Sequence, residues 1–90
     1  MARYSLRFRD SVAKDLRAIP RKDISRILRR FDQLAEDPRA PGSEKLAEQD
    51  RYRVRQGDYR IIYEIRDEVL VVVVVQVGNR REVYRKRRHH

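Results

Sequence analysis

The 90-residue chain has no cysteine, no tryptophan, and only three glycines and three prolines. Without thiols there are no disulfides, no thiolate nucleophile and no cysteine zinc cage. A reducing cytosol is the simplest setting for such a chain. Its only histidines are the last two residues, His89 and His90, which are either native or the stub of a purification tag. No imidazole inside the domain is therefore available for a histidine acid–base pair. Long apolar runs are also missing. The longest, VLVVVVV at 69–75, falls far short of the ~20 residues that span a bilayer. The N-terminal MARYSLRFRD has no apolar signal core. These absences predict a soluble, cytoplasmic protein with no membrane partner. The acids show no HExxH or paired-carboxylate spacing, and there is no Ser-His-Asp set or glycine-rich phosphate loop. No metal and no cofactor are expected.

What is abundant is arginine. Lys and Arg number 23 against 14 Asp and Glu, a formal charge of +9 carried mostly by guanidinium groups. Arginine suits bidentate phosphate recognition and stacking on bases. Polyanionic partners follow: nucleic acid, an acidic protein, or both.

The hydrophobic period divides the chain. In RYSLRF (3–8), Tyr4, Leu6 and Phe8 alternate with Arg3, Ser5 and Arg7, a half-buried strand. Asp10 or Ser11 can cap a short helix with Val12, Leu16 and Ile19 inward, which Pro20 interrupts. A second helix is predicted over 21–36, its inner stripe formed by Ile24, Ile27, Leu28, Phe31, Leu34 and Ala35. The outer surface of this helical hairpin carries Lys14, Arg17, Arg21, Lys22, Arg26, Arg29 and Arg30. EDPRAPGSE (36–44) reads as a loop. From about residue 50 the period becomes two. A strand ends at Gln56, Gly57-Asp58 makes a two-residue turn, and a return strand runs over 59–66. Asp67-Glu68 reads as a second turn. Val69–Val77 reads as a central strand, ended by Gly78-Asn79, with REVYRKRRHH as a short strand or loose tail. The expected fold is α+β, β-α-α-β-β-β, one domain over 1–90 with a basic tail at 85–90. A helical hairpin packs on one face of a small antiparallel sheet.

Register arithmetic locates the arginines of YRVRQGDYR. With Gly57-Asp58 as the turn, Arg55 faces Arg60, Val54 faces Ile61, Arg53 faces Ile62, Tyr52 faces Tyr63 and Arg51 faces Glu64. Residues directly opposite share a face, so Val54, Ile61, Tyr52, Tyr63 and Ile65 line the core. Arg51, Arg53, Arg55, Arg60, Ile62 and Glu64 line the other side. Arg51–Glu64 is an ion pair. Arg55 against Arg60 costs from a few tenths to ~1 kcal/mol, and a bound phosphate would relieve it. Extending the count through an Asp67-Glu68 turn pairs Arg60 with Val75, Ile62 with Val73 and Glu64 with Val71, an apolar floor rimmed by cations. Arginine and tyrosine without histidine can surround the charge of a phosphorane and hold a ribose 2′-hydroxyl for in-line attack. Metal-free phosphodiester cleavage is the enzymatic chemistry this set supports. A face that only receives a partner is the alternative.

YRVRQGDYRIIYEI followed by VVVVVQVGNRREVY resembles the RelE/ParE superfamily of bacterial toxins, its RelE branch above all. DPRAPGSEKL resembles that family's helix-to-strand loop, and the likeness covers nearly the whole chain. The resemblance implies a ribosome-dependent endoribonuclease that cuts the A-site codon by 2′-oxygen attack, leaving a 2′,3′-cyclic phosphate. Arg53 and Arg55 then stand at the family's two basic strand positions. Arg60 would stabilise the scissile phosphate, Arg80 would protonate the leaving 5′-oxygen, and Tyr84 would stack on or orient the nucleotide. The helix cations, with Lys45, Arg51 and Arg81, would meet ribosomal or messenger RNA. The chain departs from the family at Arg53 and Arg55, where lysine is common and where the second position has general-base duty. Arginine stays protonated, so Tyr84 takes the proton or charge stabilisation suffices. A ParE-like inhibitor of DNA gyrase, acting by binding alone, is the second expectation. In either case a cognate antitoxin, acidic and partly helical, is the implied partner.

Overall fold

The computed structural model describes residues 3–47 and 50–79. The elements run β1 (Ser5–Phe8), α1 (Asp10–Arg17), α2 (Arg21–Glu36), β2 (Ser43–Lys45), β3 (Arg51–Gln56), β4 (Tyr59–Arg66) and β5 (Val71–Asn79). Local chemistry sets the helix limits. Asp10 opens α1 and Lys14 and Arg17 close it, each charge matched to its end of the helix dipole. Pro20 precedes the first turn of α2. That helix stops where Asp37, extended at φ −149° and ψ 90°, precedes Pro38, because a residue before proline is driven out of the α region.

Among the described residues, five strands lie in the order β1-β5-β4-β3-β2. The α+β class and the helices on one face agree with expectation, but two features of the sheet do not. β1 pairs with β5 in parallel, so the sheet is mixed rather than antiparallel. A short strand, β2, also forms inside the segment read as loop and pairs with β3. The β3–β4 hairpin has the anticipated register at all six pairs, Arg51↔Glu64 through Gln56↔Tyr59. Gly57 supplies the positive φ (58°) at its turn, at no steric cost because it lacks a Cβ.

The β4–β5 register differs from the count. Asp67–Val69 form a 3₁₀ turn and Leu70 adopts φ 53°, so Arg66 pairs with Val71. A bulge between Ile62 and Tyr63 then adds one further step. Glu64 therefore faces Val73, Ile62 faces Gln76 and Arg60 faces Gly78. The turn and the bulge set this register, and the valine run offers no pattern to resist it. An unalternating strand does not distinguish its two faces, so pattern alone cannot set its register.

Helices and sheet enclose a core that includes Val12, Ile27, Phe31, Ile61, Tyr63, Val72 and Val74. Leu28, expected on the inner stripe of α2, is 47% exposed at its flank. Phe8 is likewise half-exposed, its ring tilted against Phe31 at 5.3 Å.

Candidate functional site

The side of the sheet away from the helices is the candidate site. Strand alternation puts Arg51, Arg53 and Arg55 of β3 there, with Arg60, Ile62, Glu64 and Arg66 of β4. Arg55 is exposed, Arg60 is half-buried, and the two stand directly opposite each other beside the Gly57 turn. Arg53 donates to Glu44 Oε2 at 3.1 Å, a tether from β2 that the sequence reading missed because it placed no strand there. Ile62, Val71 and Val73 supply the half-buried floor that was anticipated. Val75 instead falls at the bulge, and Gln76 and Gly78 take the places beside Ile62 and Arg60.

Glu64 is more deeply involved than a single ion pair. Only 5% exposed, it accepts from Arg66 at 2.9 Å, Arg51 at 3.1 Å and Arg9 at 3.5 Å. Burial alone would raise its pKa, but the hydrogen bonds from Arg66 and Arg51 outweigh burial and hold it below the ordinary value. Arg51, expected to meet RNA, is thus already engaged at one guanidinium nitrogen. Arg9 was assigned no role from sequence. Its presence on this face follows only from the parallel docking of β1.

The remaining candidates separate. Lys14, Arg17, Arg21, Lys22, Arg26 and Arg29 are exposed or partly exposed on the helices. The helices that carry them cover the core side of the sheet, but Lys14 lines a cavity with Gln76 and Gly78 of β5, and Arg26 lines one with the Gly57 turn. Arg30 is half-buried and donates through Nε to Gln56 Oε1 at 2.8 Å. Lys45 pairs in register with Tyr52, so it belongs to the core-side face at the sheet edge and not to the arginine face. Arg80, Arg81 and Tyr84 lie outside the described residues.

At the other end of the sheet the loop after α2 forms a clasp. Arg39 donates to both oxygens of Asp67, at 3.0 and 2.8 Å, and through Nε to Tyr52 Oη at 3.2 Å. Tyr4 Oη donates to Asp67 at 2.6 Å. Tyr52 stacks on Tyr63 at 5.8 Å, and the Tyr63 hydroxyl donates to the Pro38 carbonyl at 2.7 Å. Hydrogen bonds from Arg39, then Tyr4, bring the Asp67 pKa down to about 2, while burial pushes Tyr63 up to about 12. This network fixes strand ends rather than presenting groups to a ligand.

With this geometry in place, the comparisons are specific. A family model described as the ParE toxin of type II toxin–antitoxin system, parDE, matches residues 6–84. Toxin RelG of Mycobacterium tuberculosis is 29% identical over 85 residues, covering 92% of this chain and 98% of that protein. The mRNA interferase toxin RelE of Escherichia coli is also 29% identical over 85 residues, with 90% of each covered. Among solved structures, the toxin–antitoxin complex RelBE2 of M. tuberculosis superposes with a TM-score of 0.79 at 28% identity. It covers 89% of this chain and 94% of that one. The isolated E. coli RelE toxin gives 0.74 at 30% identity, over 92% and 93%. The chain belongs to the ParE toxin family of type II toxin–antitoxin systems, within the RelE/ParE superfamily, and its fold is that of the RelE toxins.

Proposed function

We propose that this toxin acts as a RelE-type mRNA interferase, cutting messenger RNA in the ribosomal A site. The observation that carries the reading is the row of Arg53, Arg55 and Arg60 beside a half-buried apolar floor. Similarity to a protein named mRNA interferase supports it. Arg55 and Arg60 stand opposite each other in register, so a phosphate seated between them can accept from both.

In the reaction the ribose 2′-oxygen attacks the adjacent phosphorus and gives up its proton. The bond from phosphorus to the 5′-oxygen breaks, that oxygen gains a proton, and a 2′,3′-cyclic phosphate is left. Arg60 meets the charge developing on the non-bridging oxygens, where preorganised donors do most. Arg53, held by Glu44, orients the phosphate. Arg55 is a charge stabiliser and not a base, because guanidinium does not deprotonate in the working range. Tyr84 takes the 2′-hydroxyl proton or, where it stacks on the base instead, water takes it; Arg80 hydrogen-bonds the leaving 5′-oxygen, which is protonated from solvent.

Arg60→Ala is expected to lower cleavage of ribosome-bound message by about 10²–10³-fold. Wild-type fragments should end in a 2′,3′-cyclic phosphate. Full cleavage by the variant sinks the assignment. So does a steep rate profile governed by a group titrating near neutrality.

The matching model's ParE description favours a second reading, inhibition of DNA gyrase by binding. Intact message together with blocked supercoiling selects it. In both readings the chain is neutralised by a cognate antitoxin, as the RelB complexes among its structural neighbours suggest. Acidic segments of that partner would complement the arginine face.

A further inference from the structure

The arginine face continues past the candidate cleavage row onto β1. Arg7 pairs with Val73, which pairs with Glu64, which pairs with Arg51, so these four residues form one lateral row across the sheet. Two residues further along, Arg9 reaches Glu64 Oε2 at 3.5 Å, an observed contact that puts its guanidinium on the same side. Arg66, next along β4 on that face, also binds Glu64. Three guanidiniums thus share one carboxylate, leaving two positive charges in excess, and Arg7 makes a third. Arg7 is exposed and has no ion pair among the described residues. The excess sits beside the half-buried valines 71 and 73, which offer an apolar bed to sugars and bases.

We propose that Arg7 and Arg9 form a second phosphate-binding row, which holds the backbone of the same RNA strand that is cut at the Arg53–Arg55–Arg60 row. Glu64 acts as its positioning residue. The proposal rests on the nuclease reading above and extends its substrate from a single codon phosphate to a longer stretch of the strand. β1 and β4 are two strand spacings apart, ~10 Å, and Arg7 is level with Glu64, four residues or ~13 Å along β4 from Arg60, so an RNA strand crossing the sheet obliquely can meet both rows. Continuity selects the message as occupant, because no acidic side chain of the described sheet face interrupts the path except Glu64 and Glu44, both already bound to arginine.

The test is binding of 2′-O-methyl oligoribonucleotides, whose attacking oxygen is blocked, to the full chain across a salt series. The wild type should bind a nonanucleotide more tightly than a trinucleotide. Arg7→Ala/Arg9→Ala should weaken the nonanucleotide on the order of tenfold at low salt. It should also reduce the slope of log affinity on log salt by about 1.4, roughly 0.7 for each phosphate that is no longer neutralised. Trinucleotide affinity should not change. Arg7→Lys/Arg9→Lys should retain most of the slope, which separates charge from folding. The proposal is overturned if the alanine variant keeps the nonanucleotide slope, or if the wild type shows no length effect. Loss of antitoxin binding alone would make the row a protein interface, and loss of ribosome association alone would make it a seat for ribosomal RNA; either outcome overturns it too. Cleavage of ribosome-bound message by the wild type is scored separately. Its absence refutes the nuclease reading, whereas cleavage without a length effect refutes only the second row.

Discussion

Glu64 is the residue on which the arginine face depends. Guanidiniums from β4, β3 and the Arg9 position just after β1 converge on a carboxylate that is almost fully enclosed. Replacing that carboxylate by an amide leaves three like charges around one point and turns an acceptor oxygen into a donor that faces them. Glu64→Gln, which keeps the volume but not the charge, is expected to cost about 1–3 kcal/mol. Urea unfolding should show a lowered midpoint at unchanged slope. The loss should shrink in high salt, because repulsion among half-exposed arginines is screened. Pairing of Glu64 with Arg51 was legible from the hairpin register. Strand alternation also puts Arg66 on the same face, two residues along β4, whereas Arg9 arrives by a parallel pairing that no local pattern announces.

At the scale of elements, the clasp between the 37–42 loop and the β4–β5 turn ties four chain segments through Arg39, Asp67, Tyr4 and Tyr52. A carboxyl group whose folded pKa is depressed contributes stability that is present above its unfolded value, near 3.8, and is lost as pH falls toward about 2. Asp67→Asn should therefore be less stable than wild type at neutral pH. The gap between the two should close between about pH 4 and pH 2 in chemical denaturation. A gap that persists at pH 2 would show that the side chain works through shape and not charge. The same turn explains the misread register of β5. Reading Asp67-Glu68 as a two-residue turn was reasonable chemistry, but Leu70 takes the left-handed conformation that a sequence signal would assign to glycine.

The whole molecule separates its cations onto two sides. One set lies on the open sheet face. The other, including Arg21, Lys22 and Arg26, is exposed on the helices, with Arg26 beside the Gly57 turn. In the nuclease reading proposed above, the sheet face would act on the strand and the helix face would seat the toxin on the ribosome. Changing Arg21, Lys22 and Arg26 together to Gln should weaken ribosome association several-fold at low salt. Their ion pairs are absent among the described residues, so stability should move by no more than about 0.5 kcal/mol per site. Sedimentation with ribosomes and thermal melting separate the two effects. Unchanged association would remove the docking role from this face.

Local chemistry alone accounts for α2 over Arg21–Glu36 and for the β3–β4 hairpin with its facing Arg55 and Arg60, because helical period and a two-residue turn act between near neighbours. Tertiary structure decided the rest: β1 docked in parallel on β5, the bulge that displaced Val75, the Glu44 tether on Arg53 and the approach of Arg9 to Glu64. Each depends on contacts between segments distant along the chain. Neither a period nor a turn signal encodes which strand neighbours which, or where an unbroken run of valines comes to rest.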